Sequence, residues 1–566
     1  MGKHQLAQNN RRYNPEAIAN YYRYRPWLAL WRSFTIIWCF TGFILSLKWD
    51  EWLNQVEQNK LKRAAQLRRL LTRLGPTFIK VGQALSTRPD LVRKDFLDEL
   101  VKLQDQLPPF DNAIAFKIIE TELERPLLAI FSQISPDPVA AASLGQVYRA
   151  RLESGEEVAV KVQRPNLLPV ITLDLYLMRW AAGWLGPLLP LNLGHDLTLI
   201  VDEFGTKLFE EIDYLNEGRN AEKFATNFRN EPRIKVPVIY WRYTSTHVLT
   251  LEWINGFKLT DTQRITEAGL NTNSLIQLGV QAGLQQLLEH GFFHADPHPG
   301  NLFAMPDGRM AYIDFGMMDQ LDEFTKETLV DAIVHLVNKE YTDLAEDFVK
   351  LGFLTPDTDI SPIVPALEAL LGDAIFRSVG DFNFKSITDS FSELMYEYPF
   401  RVPAKFALII RSLVTQEGIA LSLNPNFKIV EVSYPYVARR LLTGESPEFR
   451  RRLINVLFKD GKFQWQRLEN LIAIARADDS FDLLPTAQLG LQFLLSDEGK
   501  FLRRQLVLAL TEDDRLHTAE VQRLWNLVKD ELKPTRLINV ALGALTELSK
   551  EGTAAILPVA AFQSKQ

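Results

Sequence analysis

The segment from His294 to Gly316, HADPHPGNLFAMPDGRMAYIDFG, restricts the fold more than any other part of this 566-residue chain. Asp296 is followed after five residues by Asn301 and after eighteen by Asp314, which opens an Asp-Phe-Gly triplet. A polar loop followed by a hairpin would also use Asp and Gly, because both residues serve turns. Phosphoryl transfer needs these three groups in this order: a carboxylate where the acceptor's proton goes, then an amide oxygen and a second carboxylate that hold Mg²⁺ on nucleotide phosphates. Asp296 is therefore the candidate base, and Asn301 and Asp314 are the candidate metal ligands.

Such a site requires a lysine-bearing β lobe upstream, and the chain supplies one. From Pro138 the sequence changes to short β-type runs, SLGQVYRARL and VAVKVQ, separated by the turn ESGEE; this pattern predicts a hairpin. Aligned on Val147, Ala140, Ala142 and Gly145 take the three places where a phosphate-covering loop would carry glycine. Alanine's methyl keeps a backbone from approaching as closely, so the loop Ala140-Ala141-Ala142-Ser143 is expected to hold a nucleotide differently, with the Ser143 hydroxyl in reach of phosphate. A small-residue packing face would produce the same alanine run.

Lys161 comes fourteen residues after Val147 at the end of an apolar strand, a poor place for a cation without a partner. It is the candidate for the α/β-phosphate contact, and Glu211 in KLFEEIDYLNEGRN is its expected partner. Glu210, Glu211 and Asp213 would also suit a solvated helix face. The run LTLEWI reads as the last strand of this lobe, and backbone groups of Glu252, Trp253 and Ile254 are expected to meet adenine. His294 and His298 could ligate a metal beside Asp296, but that leaves Lys161, Asn301 and Asp314 unexplained. His294 is expected to brace the loop instead.

The net charge of −7 conceals an asymmetry: residues 1–74 carry +9 and the remainder −16. A basic end of this kind suits an anionic partner, and the hydrophobicity that accompanies it favours a membrane surface over nucleic acid. Ser33 to Leu47 is free of charge and flanked by Arg32 and Lys48, with Trp27, Trp31, Trp38, Trp49 and Trp52 around it. A helix of that length spans about 22 Å, short of a hydrocarbon core of roughly 30 Å. Two readings stand level: a helix lying in the membrane surface with interfacial tryptophans, and a helix buried within the protein. No small-residue cleavage pattern follows, so secretion is not expected. Cys39 is the sole cysteine, which excludes an intrachain disulfide and a Cys-based metal centre. Residues 54–74 predict an amphipathic helix with Leu67, Leu70, Leu71 and Leu74 inward, ended by Gly75-Pro76.

Taken together, Lys80-x-Gly82-Gln83, the Ala140–Ser143 loop, Lys161, Glu211-x-Asp213, Asp296 through Asn301, the Asp314 triplet and the block RSLVTQEGIALSLNPNF resemble the AarF/UbiB/ADCK family of atypical kinases, over residues 60–430. The resemblance implies an α+β, bilobal protein-kinase-like fold with a helical N-terminal extension and a mainly helical C-terminal tail. The expected parts are a basic Trp-rich leader (1–59), the extension (60–135), an N-lobe with an insert (136–255), a C-lobe (256–445) and the tail (446–566). Lys80 and Gln83 would reach into the cleft and occlude it. ATP and Mg²⁺ are the implied cofactors, and the implied activity is that of an ATPase or unorthodox kinase serving isoprenoid-quinone or related prenyl-lipid metabolism. The implied partners are membrane lipids or prenyl-lipid biosynthetic proteins, with no nucleic acid. The implied location is the cytoplasmic side of a membrane, peripheral or shallowly inserted.

Two departures from ordinary protein kinases bear on the acceptor. Ala295 stands where a catalytic-loop Arg would read a phosphorylated loop, and no Ala-Pro-Glu segment follows Gly316 to build a peptide-docking platform. Two alternatives remain. One is a small-molecule phosphotransferase of the aminoglycoside or choline kinase type, against which the Lys80 motif and the alanine loop argue. The other is a scaffold gated by ATP that phosphorylates nothing.

Overall fold

Fifteen uncharged residues become a much longer helix because Pro26 starts it early and the flanking Arg32, Lys48, Asp50 and Glu51 are accommodated within it. The computed structural model describes residues 12–86, 92–104, 109–185, 197–376 and 402–425, with scattered positions between 398 and 522. Its contacts divide the chain into one unit of Met1–Val330, Tyr341–Arg377 and Phe382–Phe427 and another of Asp331–Glu340, Ser378–Asp381 and Lys428–Gln566. The candidate site lies wholly in the first. In the second, the described residues form two antiparallel ribbons, Phe458–Lys459 with Lys462–Phe463 and Thr511–Glu512 with Arg515–Leu516. The helical tail expected from 446 otherwise falls outside the described residues.

The extension comprises α1 (Pro15–Arg23), α2 (Pro26–Trp52), α3 (Val56–Leu74), α4 (Pro76–Leu85) and α5 (Lys94–Leu100). Leu70, Leu71 and Leu74 of α3 are buried with Phe43 of α2, Phe78 and Ile79 of α4 and Leu100 of α5. Each such side chain contributes about 1.5–3 kcal/mol on burial, so this cluster holds the extension as a unit. Gly75 makes the sharp joint between α3 and α4 at φ 104°, a backbone region costly for other residues. The outer face of α2 is the reverse of a buried helix. Trp27, Trp31, Trp38, Trp49 and Trp52 are each 60–75% exposed, which rules out the reading in which this segment is enclosed by protein.

Helix α6 (Asn112–Leu123) leads into β1 (Phe131–Ile134), β2 (Ala140–Ala141), β3 (Gly145–Leu152) and β4 (Glu157–Gln163). The expected hairpin is present: β3 and β4 are antiparallel with Val147 opposite Lys161, and Gly155 turns between them at φ 102°. Tyr148, Val158, Val160 and Val162 face Ala115 and Ile119 of α6 in a buried cluster. The sheet thus begins at Phe131, before the boundary expected at 136. An insert follows, α7 (Leu167–Leu185) and α8 (Leu197–Glu211), and then α9 (Tyr214–Asn227). After β5 (Ile234–Lys235), β6 (Val248–Glu252) closes the sheet in the order β1-β3-β4-β6, with β2 on β3.

The larger lobe holds β7 (Phe257–Lys258), α10 (Thr262–Glu267), α11 (Thr272–Gln285) and β8 (Phe292–His294). Next come β9 (Leu302–Ala304), β10 (Met310–Tyr312) and β11 (Met318–Gln320). Strand β8 pairs with β11, and β9 pairs with β10, so the two motif-bearing connections, 295–301 and 313–317, emerge side by side. The chain continues through α12 (Glu323–Val337), α13 (Tyr341–Lys350), α14 (Ile363–Phe376) and α15 (Ala404–Leu423), the last packing on α11. Ala159, Leu249 and Leu251 of the small lobe share one core with Phe224, Leu278, Met310, Tyr312 and Phe315.

A buried ion pair helps fasten the extension to this body. Arg32 of α2 donates to both carboxylate oxygens of the buried Asp174 on α7, at 2.7 and 2.9 Å, and to the Leu74 carbonyl at 2.6 Å. Removing one partner of a buried pair strands the other charge, at a cost of about 3–5 kcal/mol. Arg32→Met is expected to lower unfolding free energy by that order in denaturant titrations. Lys48→Met, which breaks an exposed pair with Glu51, should change it by under about 1 kcal/mol. Equal effects of the two would contradict this account of the joint.

Candidate active site

Strand β4 delivers Lys161 to the cleft because the neighbouring Val160 and Val162 turn into the core on the other face. Its ammonium lies 2.8 Å from both carboxylate oxygens of Glu217 on α9, and 3.9 Å from Oδ1 of Asp314. The sequence reading paired Lys161 with Glu211, and the structure corrects this. Helix α8 stops at Glu211, and Asp213 caps α9 by accepting the Leu215 N–H at 3.0 Å. The break rotates the following turn inward and sends Glu217, together with Tyr214, Gly218, Ala221 and Phe224, to the buried face of α9. The signal was present: Glu217 is the one charged residue in an apolar i, i+3, i+4, i+7 pattern.

Glu211 has a different partner. It forms an ion pair with Lys80 of α4, both side chains being largely buried. Lys80 therefore does reach the site, and it is close enough to act on Asp314 electrostatically. Gln83 does not. Its Nε2 donates to the Leu103 carbonyl at 3.0 Å, and the side chain is buried within the extension. The two residues lie about 60° apart around α4, and the divergence is one of partners: Lys80 turns to Glu211, while Gln83 is held by the Leu103 carbonyl.

Asp314 receives the Asn301 Nδ2–H on Oδ2 at 3.1 Å and the Gly316 N–H on Oδ1 at 3.0 Å. Burial opposes its charge, but Lys161, the Gly316 N–H, His294 and Lys80 outweigh burial and bring the carboxyl down to about 2. Burial likewise opposes the Lys161 charge, yet Asp314 and then Glu217 raise its pKa. Glu217 is the opposite case: burial, only partly countered by Lys161, pushes its carboxyl up to about 7. Three carboxylates (Glu211, Glu217, Asp314) thus face two ammonium groups (Lys80, Lys161). The ionised Asp314 and the Asn301 amide oxygen form an all-oxygen donor set that fits Mg²⁺.

Asp296 sits in the 295–301 connection, and His294 braces it as expected. The Asp296 N–H donates to His294 Nδ1 at 3.1 Å, so the ring proton lies on Nε2, which is 2.9 Å from the Asp314 carbonyl. Burial lowers the His294 pKa and keeps the ring neutral. One imidazole therefore fixes the spacing between the candidate base and the candidate metal ligand. The Asp296 carboxylate meets Arg411 of α15, whose Nη2 donates to Oδ2 at 2.6 Å. The sequence reading did not single out Arg411. His298 turns inward on its own loop, accepting the Gly300 N–H at 3.1 Å.

The phosphate-loop and adenine positions frame the cleft. Ala140 and Ala141 pair with Val147 and Gln146, and the Ala142 N–H returns to the Gly145 carbonyl at 2.8 Å, so Ala142, Ser143 and Leu144 make a tight turn. Gly145 is required here for a reason other than phosphate approach. A methyl group on it would collide with the Tyr214 hydroxyl and the Val162 carbonyl. At the hinge, the Glu252 and Trp253 N–H groups are committed to the Val238 and Glu157 carbonyls, at 2.9 and 3.0 Å. Among the described residues, the Ile254 N–H has no backbone partner, so of these three N–H groups it is the one left open. The Glu252 side chain faces away, paired with Lys235 at 2.6 Å.

The raised Glu217 pKa has a definite sign in stability. A carboxyl held above its unfolded value of 4.5 contributes stability at low pH that is lost as pH rises toward about 7. In Mg²⁺-free buffer, the unfolding free energy of wild type should therefore fall relative to Glu217→Gln between pH 5 and about 7. Parallel curves for the two proteins would show that Glu217 ionises normally.

Residues 102–348 match the family model described as the ABC1 atypical kinase-like domain. An uncharacterized Synechocystis sp. protein is 70% identical over 97% of this chain and 97% of its own length. Two Arabidopsis thaliana proteins, ACTIVITY OF BC1 COMPLEX KINASE 1 and 3, both chloroplastic, are 50% and 48% identical. The chain aligns over 90% and 87% of its length with them, covering 77% and 69% of theirs. With its bilobal α+β architecture and its relatives in agreement, the chain belongs to the ABC1 family of atypical kinase-like proteins.

Proposed function

We propose that this protein binds Mg·ATP in the cleft between its lobes and transfers the γ-phosphoryl group, as an atypical kinase or ATPase acting at a membrane in support of prenyl-lipid metabolism. The observation that carries the proposal is the grouping of Lys161, Glu217, Asp314 and Asn301 in one charge cluster, with Asp296 tied to it through His294. Lys161, steadied by Glu217, neutralises phosphate charge. Asn301 and Asp314 would hold Mg²⁺, which would offset the negative charge that develops on the phosphate. Asp296 orients the attacking hydroxyl or water and takes its proton. The contribution of these residues is positioning and electrostatic stabilisation.

The Lys80–Glu211 pair supports a restricted acceptor. It carries the extension to the edge of the nucleotide site, where an ordinary protein kinase would leave room for a polypeptide. An extension held this close also counts against the aminoglycoside or choline kinase type of site. ATP hydrolysis, or transfer to a small or membrane-bound acceptor, fits the geometry better.

The membrane part of the proposal rests on α2. Its inner face is occupied by α3 and α4, so a bilayer cannot surround it, although its 27 residues would reach about 40 Å. Its charge at Arg32 turns inward while its tryptophans face out. Helix α7 adds Trp180 and Trp184, also exposed and stacked at 5.9 Å. Large exposed aromatic faces mark interaction sites, and tryptophan with flanking basic residues suits the interfacial zone of an anionic bilayer. The prenyl-lipid role follows from the family resemblance alone.

The test is Mg·ATP turnover by the full chain with and without anionic phospholipid vesicles. Asp314→Asn should reduce turnover by at least about 10²-fold. The double change Trp31→Ser/Trp38→Ser should abolish vesicle flotation and any vesicle response while altering stability by under about 0.5 kcal/mol. Undiminished turnover in Asp314→Asn would refute the metal assignment, and undiminished flotation of the Trp variant would refute the membrane face.

A further inference from the structure

The catalytic segment Asp296-Pro297-His298-Pro299-Gly300-Asn301 contains no lysine or arginine, and Ala295 precedes it. The cation that meets Asp296 comes instead from Arg411, 115 residues later in sequence, on helix α15. This helix carries no charge apart from Lys405, Arg411 and Glu417, and by length and composition alone the segment Lys405–Leu423 would pass for a membrane span. In the fold it is half buried, packs on α11, and touches the turn Pro299–Asn301 that completes the catalytic segment. Arg411 lies in the middle of it with a side chain only 4% exposed. Burying a guanidinium costs several kcal/mol unless its partners repay it, and among the described residues the partner is the candidate base.

The bonding is unequal in a way that points at an acceptor. Arg411 Nη2 occupies Oδ2 of Asp296, while Oδ1 is buried and, among the described residues, has no hydrogen-bond partner. Arg411 Nε is in the same condition. Buried polar atoms are almost always satisfied, so a donor is missing at Oδ1 and an acceptor at Nε. A hydroxyl or a water molecule can be both, giving its proton to the carboxylate and an oxygen lone pair to the guanidinium. The backbone of Asp296 is already fixed through His294, so the arginine fixes what the histidine leaves loose, the rotation of the carboxylate.

We propose that Arg411 is the positioning residue for Asp296: it holds Oδ2 so that Oδ1 alone meets the acceptor, and it supplies from α15 the positive charge that the catalytic segment lacks. This inference rests on the phosphotransfer reading. In the step, the acceptor O–H proton passes to Asp296 Oδ1, the acceptor oxygen bonds to the γ-phosphorus, and the bond from that phosphorus to the β–γ bridging oxygen breaks, leaving ADP. Arg411 stays charged and stabilises the arrangement on both sides of the transfer.

The experiment compares wild type, Arg411→Met, Arg411→Lys, Asp296→Asn and the Arg411→Met/Asp296→Asn double variant. Single-turnover rates are measured on the full chain with Mg·ATP, and nucleotide affinity by calorimetry. Arg411→Met should lower the rate by about 10²-fold, the scale of a misplaced general base, with Mg·ATP affinity within about two-fold of wild type. Arg411→Lys restores the charge without the fork and should recover part of the loss. In the Asp296→Asn background, Arg411→Met should cost nothing further, because the two act as a unit. The proposal is overturned if Arg411→Lys matches wild type, if the losses multiply in the double variant, or if the defect lies in nucleotide affinity alone. Should Arg411→Met not fold, Arg411→Lys decides the matter. A wild type with no turnover defeats the phosphotransfer reading and this inference together. A wild type silenced by Asp314→Asn but indifferent to Arg411→Lys defeats this inference alone.

Discussion

The ammonium group of Lys161 sits buried between Glu217 and Asp314, and the arrangement of both lobes follows from keeping it there. A lone cation in that position would be too costly to bury, and a lone Glu217 or Asp314 equally so. Each is tolerable because the others are present. Strand β4 can present Lys161 only if the hairpin register puts Val160 and Val162 in the core. Helix α9 can present Glu217 only if Asp213 ends the preceding helix two residues early. The close approach of Tyr214 beneath them needs a residue without a side chain at Gly145. Asp314 arrives from the other lobe, so the charge cluster also joins the two halves of the fold.

Around that centre, two long-range ion pairs bring distant segments to bear on the chemistry. Lys80 on the extension meets Glu211, and Arg411 on α15 meets Asp296. Both pairs are shielded from water, so neither is an ordinary surface contact of negligible worth. The neutral His294, bonded to both Asp296 and Asp314, keeps base and metal ligand in register.

Much of this was legible in the sequence because phosphoryl transfer fixes spacings along the chain. Lys161, Asp296, Asn301 and Asp314 were recognised from five- and eighteen-residue intervals and a strand with a lysine at its end. Asp296, Asn301 and Asp314 lie on adjacent connections, so for them sequence distance tracks spatial distance. The Lys161 partner was misread because Glu211 and Glu217 lie on either side of a helix break that composition does not mark strongly. Asp213 looked like one acid among several, when it is the cap that turns the chain. Arg411 opens the block RSLVTQEGIALSLNPNF, but nothing in a helix 115 residues away says which loop it will meet. Gln83 reads as a cleft residue by its place in a motif, whereas its bond to the Leu103 carbonyl keeps it within the extension. Helix α2 shows how polarity alone misleads: its Arg32 is inside and its tryptophans are outside.

The account turns on whether Asp314 holds a divalent cation on the phosphates that Lys161 faces. Calorimetric titration of ATP into wild type and Asp314→Asn, each with and without Mg²⁺, measures this without needing an acceptor. Wild type should bind ATP at least about ten-fold more tightly with Mg²⁺, the gain expected when a carboxylate ligand engages the ion, and Asp314→Asn should lose that gain while still binding the nucleotide. The same Mg²⁺ dependence in both proteins would contradict the site as described.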